Sequence, residues 1–209
     1  MGKRLRLIVG CEYSGRVRQA FRERGHDAWS CDFLPSEDNS PFHIQGDVLE
    51  HLDDDWDMGI FHPTCTYNNL AGIQWMYHPK DSHLLPEERR RHPKYPNRMI
   101  DFKRETEFFL KLKNCKIPKT CIENSQPHGL AMSVVGKYTQ KVQPWMFGDP
   151  FKKGACLWLK NLPKLAATAI VPVHLRKAEC HLASPGPNRW KERSRTYEGI
   201  ATAFATQWA

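Results

Sequence analysis

Apolar residues in this chain fall into short runs that end at an acid, a glycine or a proline. Between the runs lie segments whose apolar positions recur every three or four residues. Leu5 to Gly10 is the first run, and it ends in the turn Cys11 to Gly15. Val17, Ala20 and Phe21 follow at helical spacing, with Gly25 as the stop. His26 to Asp32 and Ile44 to Val48 read as a second and a third strand, each with an acid, Asp32 or Asp47, where a parallel strand would finish. Trp56 to Phe61 is a fourth, halted at His62-Pro63, where proline removes a backbone donor. Met99, Phe102, Phe109 and Leu112 share one face of a helix, with Lys103, Arg104 and Lys111 off it. Lys119 to Ile122 makes a fifth strand that closes at Glu123-Asn124. Cys156 to Leu159 makes a sixth and Ala169 to Val173 offers a seventh. Ile200, Phe204 and Trp208 mark the buried stripe of a last helix. Strands alternating with helices predict an α/β fold with a doubly wound, mostly parallel sheet.

Two stretches break this rhythm. His78 to Arg98 is rich in Pro, His and Arg, with Arg89, Arg90 and Arg91 in succession, and reads as a long basic insertion. Ala183 to Arg195 reads as a second basic loop containing Pro and Gly. A length of 209 residues suits one α/β domain spanning 1–209. Lys and Arg number 31 against 23 Asp and Glu, and the resulting charge of +8 favours contact with a polyanion. The 7 cysteines are scattered and include no C-x-x-C pair, which argues against a disulfide framework or zinc knuckle. His174, Cys180 and His181 read as incidental neighbours in a loop, so no metal is expected. Met1 to Arg4 leads straight into the first strand without a signal-like apolar segment, and no run is long enough to span a membrane. A cytoplasmic protein with reduced cysteines is the expectation.

In open α/β sheets a ligand binds beyond the carboxyl ends of the strands. The first such loop, Cys11-Glu12-Tyr13-Ser14-Gly15, carries one glycine, far from a dinucleotide fingerprint, and no P-loop is present. A nucleoside without phosphates fits what remains: Asp32 can accept from both ribose hydroxyls and Asp47 from an adenine amino group. Both acids also suit ordinary strand-end turns.

The fourth strand runs into Pro63-Thr64-Cys65, and the fifth ends in Glu123-Asn124-Ser125, so adjacent strands would bring a thiol and a carboxylate together. A cysteine is more often core than nucleophile, but the strand-end setting and the acid favour chemistry. Pyrimidine carbon 5 becomes nucleophilic when a thiolate adds at carbon 6, and a carboxyl at N3 stabilises the charge.

The order Glu12-Tyr13-Ser14-Gly15, Asp32, Gly46-Asp47, Pro63-Thr64-Cys65 and Glu123-Asn124 resembles the motif series of the cytosine-5 DNA methyltransferases, with their F-S-G, P-C and E-N elements. Gln143 to Gly148 and Arg193 to Ile200 are similar to the Q-P-W-x-F-G and R-x-R-T-x-x-G-I segments of compact bacteriophage-type members. The resemblance implies a Rossmann-like methyltransferase fold and transfer from S-adenosylmethionine, with S-adenosylhomocysteine as product, to carbon 5 of cytosine in DNA. It implies a bacterial host cytoplasm. It also makes Cys65 the nucleophile and Glu123 the N3 partner. Glu12, Tyr13, Ser14, Gly15, Asp32, Phe33, Asp47 and Pro63 would hold the cofactor, and Asn124, Arg193 and Arg195 the substrate.

Thr64 stands where the family has proline. Only about forty residues separate Gly148 from Arg189, too few for the family's large target-recognition region. Specificity would then be minimal, supplied by a protein partner, or lodged in residues 78–98. A free pyrimidine nucleotide as substrate, and a non-catalytic DNA-binding protein, remain the alternatives. Arg193 and Arg195 lie beside Trp190 and Tyr197, a basic and aromatic grouping suited to nucleic acid.

Overall fold

The computed structural model describes residues 3–178, 186 and 189–209. The regular elements are β1 (Arg6–Gly10), α1 (Arg16–Arg22), β2 (Asp27–Asp32), β3 (His43–Gln45), β4 (Met58–Phe61), α2 (Arg98–Lys113) and β5 (Lys119–Asn124). After these come α3 (Gly129–Val135), β6 (Gln140–Val142), β7 (Ala155–Lys160), α4 (Arg189–Ser194) and α5 (Glu198–Gln207). They build one seven-stranded sheet in the order β3-β2-β1-β4-β5-β7-β6. Strands β1 to β5 are parallel; β7 runs antiparallel to β5, and β6 antiparallel to β7. The strand order reverses at β1 and β4, so their carboxyl ends flank the crevice where such sheets bind ligands.

Alternation along each strand divides the core between two faces. Leu7, Val9, Ile60, Cys121 and Leu157 meet Phe21 of α1 and Phe204 of α5. Ile8, Phe61, Ile122 and Trp158 meet Phe109 and Leu112 of α2. Helices on both faces explain why the parallel strands read as nearly continuous apolar runs.

The sequence pattern places β1 to β5, α1, α2 and the last helix within a few residues of where they lie. It misses β6 and α3. The Ala169 to Val173 segment is not a strand: Ala169 forms an isolated bridge with Phe147, and Val173–Leu175 is a single helical turn. Its N–H groups go to the turn before it, Thr168 and Ala169 to the Met146 carbonyl and Val171 to that of Trp145. Pro172 then offers no donor. The edge place belongs instead to β6, where Val142 alone is buried. Residues 183–185, 187 and 188 of the expected 183–195 loop lie outside the described residues. Its last part includes α4.

The 78–98 stretch is exposed at most positions but has its own internal order. Buried Asp81 receives the Arg90 guanidinium at two points, Nε to Oδ2 at 3.0 Å and Nη2 to Oδ1 at 2.6 Å, and also the Arg90 N–H at 2.9 Å. Buried His92 packs against the rings of Trp75 and Tyr95, with centroids 5.4 and 5.2 Å away. No helix among the described residues is long and apolar enough to cross a membrane.

The two late segments singled out in the sequence pack on each other. The N–H of Gly199 donates to Asp149 Oδ2 at 2.9 Å, and a Cβ on Gly199 would sit 2.0 Å from the Phe147 carbonyl oxygen. That clash is with backbone, so it cannot be relieved by a rotamer change. Gly199→Ala is therefore expected to cost about 1–3 kcal/mol through overpacking. Urea unfolding measures this, and a midpoint equal to that of the wild type would show that the contact does not matter.

Candidate active site

The turn after β1 is shaped by a buried carboxylate. Gly15, at φ +68°, precedes α1 and supplies no side-chain cap. Glu12 turns inward instead and accepts from the N–H of Val17 at 2.7 Å and of Arg18 at 3.3 Å, satisfying two orphan donors of the first turn. Burial pushes the Glu12 carboxyl upward, while His62, those two N–H groups and Arg18 oppose the shift. The fully buried Arg18 lies beneath Gly15, donates to Ser30 Oγ at 3.0 Å and pairs with Asp38. Tyr13 and Ser14 are buried, and Tyr13 Oη donates to the Lys191 carbonyl of α4 at 2.8 Å.

Asp32 and Asp47 stand at the ends of β2 and β3, near one another at the tip of β1. Their proximity is visible in Cys11, whose thiol is pushed far up first by burial and then by Asp32, Cys31 and Asp47. Asp32 uses Oδ1 to accept from the N–H of Leu34, and Asp47 uses Oδ1 to accept from that of Leu49, both at 2.9 Å. Each of these two bonds uses one oxygen of its carboxylate. Burial pushes the Asp32 carboxyl upward against the Leu34 N–H, His43 and the Phe33 N–H. Phe33 is 70% exposed and presents its ring at the same rim. Both acids thus stand in strand-end turns.

Cys65 lies in the loop that leaves β4, and β5 holds that loop from the side. Asn124 Nδ2 donates to the Pro63 carbonyl at 3.2 Å and to that of Thr64 at 3.3 Å. Ser125 Oγ donates to Cys65 Sγ at 3.3 Å. Glu123, on the same strand, accepts from His62 Nδ1 at Oε2, 3.1 Å away, in a half-buried setting. Burial raises the Cys65 thiol; the Ser125 hydrogen bond opposes this, Glu123 and Glu105 add to it, and Lys153 partly offsets them. Burial also disfavours charge on Glu123, but His62, as donor and as a charge, together with Lys153 holds its carboxyl below the usual range. The Glu123 charge thus acts on the Cys65 thiol.

Lys153 ties the C-terminal part to this site. Its Nζ donates to the Arg193 carbonyl and lies 5.6 Å from the Tyr197 ring centroid. Glu123, Lys153, Ala155 and residues 194–197 line a cavity of about 20 Å³. Arg195 is engaged by Glu37 through a bidentate ion pair, and the Arg193 side chain is exposed. Among the described residues no group of three or more His, Cys, Asp or Glu could hold a metal; Cys180 and His181 lie outside them.

His62 escaped the sequence reading as a site residue. Its side chain is 8% exposed, and its Nε2 has no hydrogen-bond partner. The one available signal was its place beside Pro63 at a strand end facing an acid-tipped neighbour.

No family model and no curated protein matches the sequence. Solved structures do match. The Entamoeba histolytica methyltransferase EhMeth is 11% identical, with a TM-score of 0.50 over 81% of this chain and 58% of that one. A protein from E. coli described as a DNA modification methyltransferase encoded within a prophage is 16% identical, with a TM-score of 0.47 over 81% and 52%. The Dnmt2 methyltransferase of S. pombe is 15% identical, with a TM-score of 0.44 over 78% and 51%. This chain spans only 51% to 58% of the length of these structures. The doubly wound sheet is a Rossmann-like methyltransferase fold.

His62→Ala removes the partner whose hydrogen bond and charge interaction lower the Glu123 carboxyl, so that carboxyl is expected to titrate at higher pH. A carboxyl depressed on folding adds stability above its unfolded-state value, and loses it as pH falls through the depressed one. The variant should therefore also lose part of the acid-side dependence of stability. Carboxyl ¹³C NMR titration reads the shift directly, and an unmoved Glu123 resonance would remove His62 from this role.

Proposed function

We propose that the chain is a compact cytosine-5 DNA methyltransferase using S-adenosylmethionine. The observation that carries this reading is the joining of the β4 and β5 loops. Ser125 reaches the Cys65 sulfur while Glu123, two residues earlier, stands ionised against His62. The Asp32 and Asp47 carboxylates, with the exposed Phe33 ring, fit an adenosine whose ribose diol and amino group need acceptors. Glu12, Tyr13, Ser14 and Gly15 would shape that site from within, and Pro63 would close it at the end of β4.

When bound, S-adenosylmethionine supplies the methyl electrophile. The chain's own residues prepare the acceptor. Cys65 Sγ bonds to carbon 6 of a cytosine flipped out of its stack, and the ring electrons move to carbon 5. The proton leaving the Cys65 thiol passes by way of the Glu123 carboxylate to N3, where it balances this charge. Carbon 5 would take the methyl group with release of S-adenosylhomocysteine; loss of the carbon 5 proton to solvent, departure of the Cys65 thiolate and return of the N3 proton then restore the ring. Because burial favours the Cys65 thiol, its proton must leave as sulfur adds, and the Ser125 hydroxyl and Lys153 charge lower the cost.

The small cavity lined by Glu123, Lys153 and residues 194–197 is where the base would enter. Arg193, exposed next to that segment, and Arg195, if freed from Glu37, would meet backbone phosphate, and Asn124 would fix the loop under the base. The missing recognition region keeps a free pyrimidine nucleotide as a second reading: the 161–178 stretch between β7 and α4 forms one helical turn and isolated bridges, with no additional sheet. A protein partner would then supply specificity on DNA.

Bisulfite sequencing of DNA from cells producing the protein should reveal modified cytosines, and Cys65→Ser should abolish them. Labelled cofactor offered with DNA or with dCMP separates the substrates. Wild-type rates from Cys65→Ser would overturn the covalent reading. Salt-sensitive DNA binding without any transfer would reduce the chain to a binding protein.

A further inference from the structure

Residues 64–69 belong to no helix or strand, yet side chains claim the carbonyls of Thr64 to Tyr67 and the N–H groups of Thr66 to Asn68. The Asn69 side chain donates to the Cys65 carbonyl. Arg98 Nη2 donates to the Thr66 carbonyl at 3.0 Å, and the His128 ring meets that of Tyr67 at 2.9 Å. The N–H groups converge on a single residue, Glu105, in the middle of α2. Its Oε1 accepts from the N–H of Tyr67 at 3.1 Å and of Asn68 at 2.9 Å, with Oε2 3.3 Å from the Tyr67 nitrogen. The Thr66 N–H and the Thr64 hydroxyl also act on it. Glu105 is 7% exposed, on a helix face otherwise given to Phe102, Phe109 and Leu112.

A buried carboxyl on an apolar helix face is costly unless it is hydrogen-bonded. This one receives several donors, all from the segment that carries Cys65. An ionised carboxylate only accepts, and its two oxygens match that set; a glutamine at the same place has one acceptor oxygen and turns an NH₂ toward donors. Thr64 fits the same picture, since a proline there would have no hydroxyl to offer.

We propose that Glu105 is a positioning residue for the nucleophile, its carboxylate anchoring the 64–68 loop to α2 and so fixing where the Cys65 sulfur stands relative to Glu123. As to its bearing on catalysis, this rests on the methyltransferase reading above; the anchor itself does not. Burial outweighs the loop's donors and lifts the Glu105 carboxyl to about 7. The anchor therefore changes form near neutrality: above that value both oxygens accept, and below it one carries a proton and loses its place in the set. The titratable and charged groups around it are Cys65 and Tyr67 of the loop, Arg98 and Asp101 on α2, and His128 ahead of α3. Burial lowers the His128 imidazole, and its Nδ1 accepts from the Ala131 N–H, both of which favour its neutral form.

Amide NMR of the wild-type protein tests the anchor without any variant. The Tyr67 and Asn68 amide resonances should shift together with a single midpoint near 7, and the protection of both against amide exchange, taken relative to the intrinsic rate at each pH, should fall below it. In Glu105→Gln the shared titration should vanish, and in Thr64→Val, which removes only the hydroxyl, it should persist with a raised midpoint. With DNA, Glu105→Gln should lower kcat on the order of tenfold to a hundredfold while the cofactor KM stays within about twofold, as expected when reacting atoms are misplaced. Amides that do not respond between pH 5 and 9, or that titrate unchanged in Glu105→Gln, would overturn the anchor. A cofactor KM that rises with kcat unchanged would overturn its bearing on catalysis. If Cys65→Ser still transfers methyl groups while the amides titrate as described, the reading of the reaction fails and the anchor stands.

Discussion

A loop without secondary structure still has to satisfy its backbone N–H and C=O groups, and in this protein that requirement places the Cys65 sulfur. After Pro63 the chain leaves the sheet with Cys65 two residues on. Asn124 takes the carbonyls on one side, Glu105 the N–H groups beneath, and Arg98 and His128 the carbonyls further along. These partners come from β5, α2 and the start of α3, elements whose own positions are set by packing against the sheet. The loop is thereby as well located as a strand end without being one. His128 joins two tasks: its Nδ1 accepts from the Ala131 N–H at 3.0 Å to cap α3, and its other nitrogen faces the Tyr67 carbonyl.

A comparable economy governs the β1 end. Glu12 is spent on the first turn of α1, which suits it less to touching a ligand than to holding Tyr13, Ser14 and Gly15 in place. That turn is stitched to the C-terminal segment by Tyr13 on the Lys191 carbonyl and by Arg16 on the Thr196 carbonyl, 2.9 Å away. Lys153, just before β7, reaches the Arg193 carbonyl from the other side. Segments far apart in sequence therefore close over one end of the sheet, and the packing of Gly199 on Phe147 fixes the depth at which α5 begins. The basic residues of this strap are partly committed to these internal contacts, which is why a count of charges overstates how many are ready for phosphate.

What the sequence made legible follows from what burial writes into it. Strands covered on both faces leave continuous apolar runs, so β1, β2, β4, β5 and β7 stand out, and acids or proline at their ends mark the loops that carry Cys65, Asp32 and Glu123. The edge strand β6 buries only Val142 and leaves no such mark. The seven-residue α3 is held by a histidine cap rather than by a long apolar stripe. Ala169 to Val173 failed the other way: its residues favour a strand, but its hydrogen bonds go to a neighbouring turn. Glu105 and His62 were hard to read because their partners lie 38 and 61 positions away in the chain. A polar residue on an otherwise apolar stripe is the only trace that such a role leaves, and Glu105 left it.

The two acidic groups nearest Cys65 are driven in opposite directions, and the contrast bears on how the site works. Folding depresses the Glu123 carboxyl, so its ionisation stabilises the fold at neutral pH. Folding raises the Glu105 carboxyl from 4.5 to about 7, so the folded state holds the extra proton and stability falls as pH rises across that interval. A residue kept only for stability would not be an ionisable group buried on an apolar helix face, because a neutral side chain would escape this cost. Carboxyls whose environments push them apart commonly mark groups with separate duties. Here one is held as an anion beside the thiol, backed by His62 and Lys153. The other is held at the edge of ionisation beneath the loop, where taking up a proton loosens the backbone that carries the sulfur.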